Sequence, residues 1–158
     1  MNFSFKSCED YFKFYKNDSL IKVSDKNPLL AINLQHAELI LIDLKKKKVK
    51  TDPFSVLGLS MFASSLDKKQ VNEIIGILLK DLDFDPVLFR FFDDKKLLKL
   101  MNQKYDPFIK NFNKKFNMKL TLIEDFKKNV NCVTNKDQFK KFILKLNNFN
   151  LTIFFKLS

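Results

Sequence analysis

Five groups of residues in this 158-residue sequence have types and spacings that chemistry could use. Asp81, Asp83 and Asp85 in "DLDFDP" alternate like the opening of a calcium loop. Such a loop needs a glycine at its sixth position and a glutamate at its twelfth. Pro86 and Phe92 stand there instead, so these acids read as solvated groups at a helix end. Asp93 and Asp94 are adjacent, but an acid–base pair needs a partner held opposite, and no partner is named by the sequence; capping is the expectation. Ser55, Ser60, Ser64 and Ser65 lie in a helical pattern without the glycines of a nucleophile elbow. His36 is the only histidine, and it falls where a helical stripe passes, which suits packing better than base catalysis. Cys8 and Cys132 share no context and read as free thiols of a reducing compartment. With only Gly58 and Gly76, no glycine-rich phosphate loop is possible. No catalytic, cofactor-binding or metal-binding residue is expected, and the chain does not read as an enzyme.

The composition narrows the class further. Hydrophobic residues make up 46% and charged residues 30%, the balance of a globular protein with one core. No apolar run reaches the ~18 residues of a membrane span. The opening "MNFSFKSCEDYFKFYK" lacks arginine and carries acids, so it is a poor secretory signal and a poor transit peptide. The net charge is +11, from 28 lysines and a single arginine, Arg90. Arginine is the residue suited to bidentate phosphate contacts. Abundant Lys, Asn, Phe and Ile with no Trp is the imprint of AT-rich coding. We therefore read the charge as solvated faces, and nucleic acid is not an expected partner. The run from Lys45 to Lys50 reads as a solvated connector, because it lacks interleaved aromatics.

These residues must be positioned by helices. All four prolines follow Asn or Asp. Asn27-Pro28, Asp52-Pro53 and Asp106-Pro107 have the form of helix openings, and Asp85-Pro86 that of a turn. Leu34, Ala37, Leu41 and Leu44 make a helical stripe, although "LILIDL" could equally be a strand. A helix from Asp52-Pro53 runs through Val56, Leu57, Ser60 and Met61. Asp67 and Gln70 form a capping-box pattern ahead of the face Val71, Ile74, Ile75, Leu78, Leu79 and Leu82. "FDPVLFRFF" has the bias of an extended segment. A short helix from about Asp94 carries Leu97, Leu98 and Met101. A separate helix capped by Asp106 buries Ile109, Phe112 and Phe116. "MKLTLIE" alternates like a strand. Asn135 with Gln138 repeats the capping box before Phe139, Phe142, Ile143 and Leu146. The tail "NLTIFFKLS" could be a helix start or a strand. The expected fold is mainly α: one domain over 1–158, an orthogonal helical bundle with one or two short β-strands. Residues 1–27 stand apart as a possible remnant of a β-rich region.

The span Leu78 to Glu124 resembles the Atp-twelve family, chaperones that assist assembly of the catalytic sector of F-type ATP synthase. The family pattern is an aromatic-Arg pair, acids, a leucine pair, a Gln, then Trp-Asp-Pro leading a helix, a short strand and a Glu. Here Phe89-Arg90, Asp93-Asp94, Leu97-Leu98, Gln103, Tyr105-Asp106-Pro107, Phe116 and Glu124 fall in that order. Tyr105 stands where the family has Trp. Upstream, Pro53, Ser55, Leu57 and Ser60 are in register with a further family segment, and Gln35-His36 replace a Glu-Trp pair. The resemblance implies a shortened, divergent member in which Arg90, Gln103, Tyr105, Asp106, Pro107 and Glu124 are mainly structural, with partner-binding residues unassigned. It implies a monomer that binds the free ATP synthase α-subunit without nucleotide or metal, in a mitochondrial matrix or a bacterial cytoplasm. Two other readings stay open: a stable structural subunit of a larger complex, and a basic nucleic-acid-binding module.

Overall fold

The chain begins with alternating residues that make a hairpin. In β1 (Phe3–Cys8) and β2 (Tyr11–Lys16) the partners run antiparallel from Phe3↔Lys16 to Cys8↔Tyr11. Phe5, Phe12 and Phe14 gather on the covered side, where the Phe5 ring meets Phe12 and Phe14. The turn into β3 (Ser19–Leu20) uses Asn17 and Asp18, both in the left-handed region at φ 47° and 64°. Asn and Asp tolerate that conformation, and two such residues give the turn whose twist matches a hairpin. On the same edge of β2 as β3, opposite β1, lies β4 (Leu30–Ala31), paired with Phe12 and Lys13. The computed structural model describes residues 2–46, 52–90, 93–125 and 133–157. The expectations for Lys47 to Lys50, for Phe91 and Phe92, and for Cys132 therefore lie outside the described residues.

The helices are α1 (Leu34–Lys45), α2 (Val56–Ser65), α3 (Lys68–Asp81), α4 (Lys95–Phe116), α5 (Asp137–Ile143) and α6 (Asn148–Leu157). A short ribbon pairs β5 (Lys119–Leu120) with β6 (Val133–Thr134). The fold is thus mainly α, but with more strand than expected: a four-stranded sheet and a two-stranded ribbon replace one or two short strands. The alternation in residues 3–16 was the signal, since period two on aromatic residues is the mark of a half-covered strand.

The chain divides into two compact units, Met1–Val71 with Leu146–Ser158, and Asn72–Lys145. In the first, the sheet and α1 enclose Phe14, Leu29, Ala31, Ala37, Ile40 and Leu57, and α2 packs on α1 and α6. In the second, Phe112, Phe116, Phe139 and Phe142 form an edge-to-face and tilted cluster with centroids mostly near 5 Å. Those geometries favour the ring quadrupoles beyond simple area burial.

Local chemistry explains where the helices start, including where expectation and structure part. The capping box is as expected: Gln70 N–H donates to Asp67 at 2.8 Å, and Asp67 N–H to the Gln70 side chain at 3.0 Å. Asp94 caps α4 by accepting from the Lys96 and Leu97 amides. Asp52-Pro53 does not open α2. Ser55 is the cap, accepting from Gly58 N–H at 3.0 Å, while Asp52 closes a turn by accepting from Phe54 N–H. That turn folds tightly onto Gly58, where an added Cβ would lie 2.3 Å from the Asp52 carbonyl oxygen. Asn27-Pro28 does not open a helix either; Pro28 bridges Lys22 and leads into β4.

The largest departure is α4. Pro107 sits inside one continuous 22-residue helix, so Asp106 caps nothing. The apolar spacing is unbroken from Leu97 to Phe116, and Gln103 and Pro107 are both exposed, where water can take the carbonyl that Pro107 leaves unbonded. Asn135 is likewise no cap. It is left-handed at φ 62° and its side chain donates to the Asn117 carbonyl at 3.1 Å. In α1 Ala37 and Ile40 are buried and Leu44 packs against that core, so Ala37 and Leu44 of the expected stripe face inward, whereas Leu34 is exposed. "LILIDL" and the tail are both helical.

Candidate functional site

His36 is the one histidine of the chain, and its hydrogen bonds orient it for packing. Asn33 caps α1 by accepting from His36 N–H at 2.8 Å, which fixes the residue on the first turn. The ring Nδ1 accepts from Ile32 N–H at 3.3 Å, so the proton of the neutral ring sits on Nε2. Nε2 lies 2.7 Å from Ser60 Oγ, and Ser60 in turn donates to the Val56 carbonyl at 2.6 Å. The histidine therefore donates to the serine. A nucleophilic pair requires the reverse, with Nε2 accepting the hydroxyl proton. Burial pushes the His36 pKa below its usual value, which keeps the ring neutral, and the Phe149 ring meets it edge-on at 5.4 Å.

The remaining candidates are structural. Ser55 is a cap, Ser64 accepts from Leu30 N–H at 3.1 Å, and Ser65 donates to the Phe62 carbonyl. Asp83 pairs with Lys136 at 2.6 Å, and Asp85 accepts from Val87 N–H at 2.8 Å, so the "DLDFDP" acids diverge. Among the described residues no group of three His, Cys, Asp or Glu side chains could hold a metal ion. Cys8 is a free thiol, and the Lys13 ammonium donates to it at 3.2 Å, which raises the Lys13 pKa.

Of the family-motif positions, the fold joins two. Arg90 is only 5% exposed. Its Nε donates to Asn102 at 2.8 Å, its Nη1 to the Val87 and Phe89 carbonyls, and its Nη2 to Asp106 at 3.2 Å. Its own amide donates to the Ile123 carbonyl, beside the bridge between Phe89 and Ile123. The guanidinium fork thereby ties the 3₁₀ turn Pro86–Leu88 to the middle of α4. Gln103, Pro107 and Glu124 are exposed, and Tyr105 is partly so; none of them reaches Arg90.

What the first unit offers instead is an apolar cleft of about 380 Å³. Ile32, Leu39, Val56, Leu59, Phe149 and Ile153 line it, with the His36–Ser60 pair as its polar floor. Leu34, Leu39 and Ile42 stand exposed on α1, Ile42 at 56%. Sequence reasoning missed this surface. Its signal was α1 itself, where "LQHAELILIDL" carries apolar residues around more of the helix than one buried face needs.

The architecture defines a class: a four-stranded sheet and a two-stranded ribbon with six α-helices among the described residues, carrying an open apolar cleft. No protein-family model matches the sequence, and no curated protein matches it. Solved structures do. The fold is similar to that of the Atu1473 protein of Agrobacterium tumefaciens, with a TM-score of 0.79, 15% identity and 99% of this chain covered. It is equally similar to that of a point mutant of P. denitrificans Atp12p, with a TM-score of 0.78, 14% identity and 96% coverage. The chain spans 60% and 66% of those two chains. The fold is Atp12-like, as the resemblance in the sequence implied.

Proposed function

We propose that this chain is an assembly chaperone for the catalytic sector of F-type ATP synthase, binding the free α-subunit without catalysis. The observation that carries the reading is the coincidence of an Atp12-like fold with an apolar cleft in which the one titratable lining residue, His36, is hydrogen-bonded to Ser60 for packing. The Atu1473 protein is itself described as a candidate chaperone. A free subunit exposes the apolar surface it later gives to its neighbour, and such a surface aggregates unless it is covered. The required physics is a reversible cover, needing neither nucleotide nor metal. The cleft, with Leu39 and Ile153 exposed among its lining residues, supplies apolar surface for that purpose.

In this reading Arg90 and Asp106 act by holding the second unit together, and Gln103, Tyr105, Pro107 and Glu124 are framework positions, not reacting groups. The protein works as a monomer in a mitochondrial matrix or a bacterial cytoplasm. The test is affinity purification of the tagged chain from its native source, at low and moderate salt. Recovery of the α-subunit without the assembled synthase is the expected result. Its absence at both salts removes the reading.

A further inference from the structure

The second unit carries a surface that neither its core nor Arg90 uses. On α4 the 3.6-residue repeat places Leu97, Leu100, Lys104 and Phe108 on one line. Leu97, Leu100 and Phe108 are exposed, Phe108 at 70%. Lys104 interrupts the line only at its head, because a lysine stem covers apolar surface while its ammonium stays in water. Along one side of this strip the same repeat sets Lys96, Lys99, Lys110 and Lys114, all exposed, and none forms an ion pair among the described residues. The helix holds seven lysines against one acid, Asp106, whose carboxylate faces Arg90.

Along the other side the surface is concave. Phe108, Ile109 and Phe112 meet Val87, Leu88 and Leu120 around a slot of about 130 Å³. For scale, a cavity of about 150 Å³ admits benzene. The one carboxylate at the slot, Asp85, is occupied in accepting from Val87 N–H. Across α4 the order is therefore cationic ridge, apolar strip, apolar slot.

We infer that α4 is a docking strip for an acidic amphipathic helix of a partner polypeptide, which lays its apolar stripe on Leu97, Leu100 and Phe108, seats one side chain in the slot, and sets its acids over the lysine ridge. Charge complementarity selects the partner's sign, and the slot selects a polypeptide. A lipid surface offers nothing to fill a recess at the edge of a helix, and a base-stacking surface needs aromatics among the lysines, where this ridge has none. The inference stands apart from the ATP synthase reading, since it names the chemistry of a segment and not the client.

The test is fluorescence anisotropy of the full chain with a synthetic helical peptide bearing leucines at i, i+3, i+4 and i+7 and glutamates along one flank. Saturable binding that weakens with salt is expected, with L100Q/F108Q and K99E/K110E each weakening it about tenfold or more. The same peptide with lysines for glutamates fails to bind. The altered side chains are exposed, so matching circular dichroism melts establish that the variants remain folded. Equal binding by wild type and L100Q/F108Q overturns the inference. So does preferential binding of an RNA oligonucleotide or of phosphatidylserine vesicles, and so does a dimer that L100Q/F108Q converts to monomer. Peptide binding without α-subunit capture would sink only the chaperone reading, and capture without peptide binding only this one.

Discussion

Arg90 and His36 are the only arginine and the only histidine in the chain, and the two units put them to opposite use. Arg90 in the second unit is buried and satisfied by a side-chain amide, two carbonyls and a carboxylate. His36 in the first unit is half-buried and neutral, and it floors an open cleft. Both hold backbone in place through hydrogen bonds, and burial disfavours the charged form of His36. The second unit is thus locked by a guanidinium fork, and the first by a neutral imidazole.

Removing the guanidinium should have the largest effect. Arg90→Met leaves Asn102 and the Val87 and Phe89 carbonyls without their donor, at a cost of about 3 kcal/mol. Little of that comes from the ion pair, because Asp106 is about a third exposed and solvent screens it. Arg90→Lys should recover less than half, since an ammonium cannot serve all four acceptors. Urea denaturation measures both, and hydrogen exchange should localise the loss to the amides of Arg90 and Ile123. A loss no larger than ~0.5 kcal/mol would show that the node is ornamental.

The two glycines sharpen the contrast between a crowded site and an open one. Gly58→Ala drives a Cβ into the Asp52–Pro53 backbone and should cost about 1–3 kcal/mol. Gly76→Ala meets nothing within 4 Å on an α-helix and should stabilise by about 0.5–1 kcal/mol. Thermal melts of the pair read out opposite signs, and a shared sign would contradict the packing described at one of them.

The smallest expected effect is the proton-linked one. Burial lowers the folded-state pKa of His36, so below about pH 6.5 the unfolded chain binds more protons than the folded one. The stability of the first unit is then full above that pH and falls as the pH drops from there through the lowered folded value. His36→Gln should flatten the curve across pH 7.5 to 5.5. Asp43 works lower on the scale. Its bond from Lys46 depresses its pKa, so its contribution is present at neutral pH and disappears only as the pH falls through that depressed value.

How far the sequence carried depends on which competing signal was local. The capping box at Asp67 and the face of α3 were legible because one periodicity and one cap agreed. In α4 two signals conflicted. Asp-Pro pointed to a helix start, the apolar spacing to continuity, and the spacing prevailed once Arg90 had claimed the Asp106 carboxylate. The hairpin was written in "FSFKS" and "YFKFYK" around Glu9-Asp10, where period two on aromatic residues is a strand signal. That His36 would be a packed residue followed from its place on a helical stripe. That it would meet Ser60 across 24 residues did not, because nothing local encodes that approach. The apolar cleft was hidden for the same reason: exposure is decided by what α2 and α6 leave uncovered on α1.

The central claim is that this chain covers a polypeptide surface reversibly and transforms nothing. Sedimentation velocity of the purified chain with isolated ATP synthase α-subunit tests it most directly. The account predicts a one-to-one complex that prevents aggregation of the α-subunit and dissociates when the β-subunit is added. An α-subunit that aggregates unchanged in the presence of excess chain would contradict it, as would a complex that retains both subunits together with the chain.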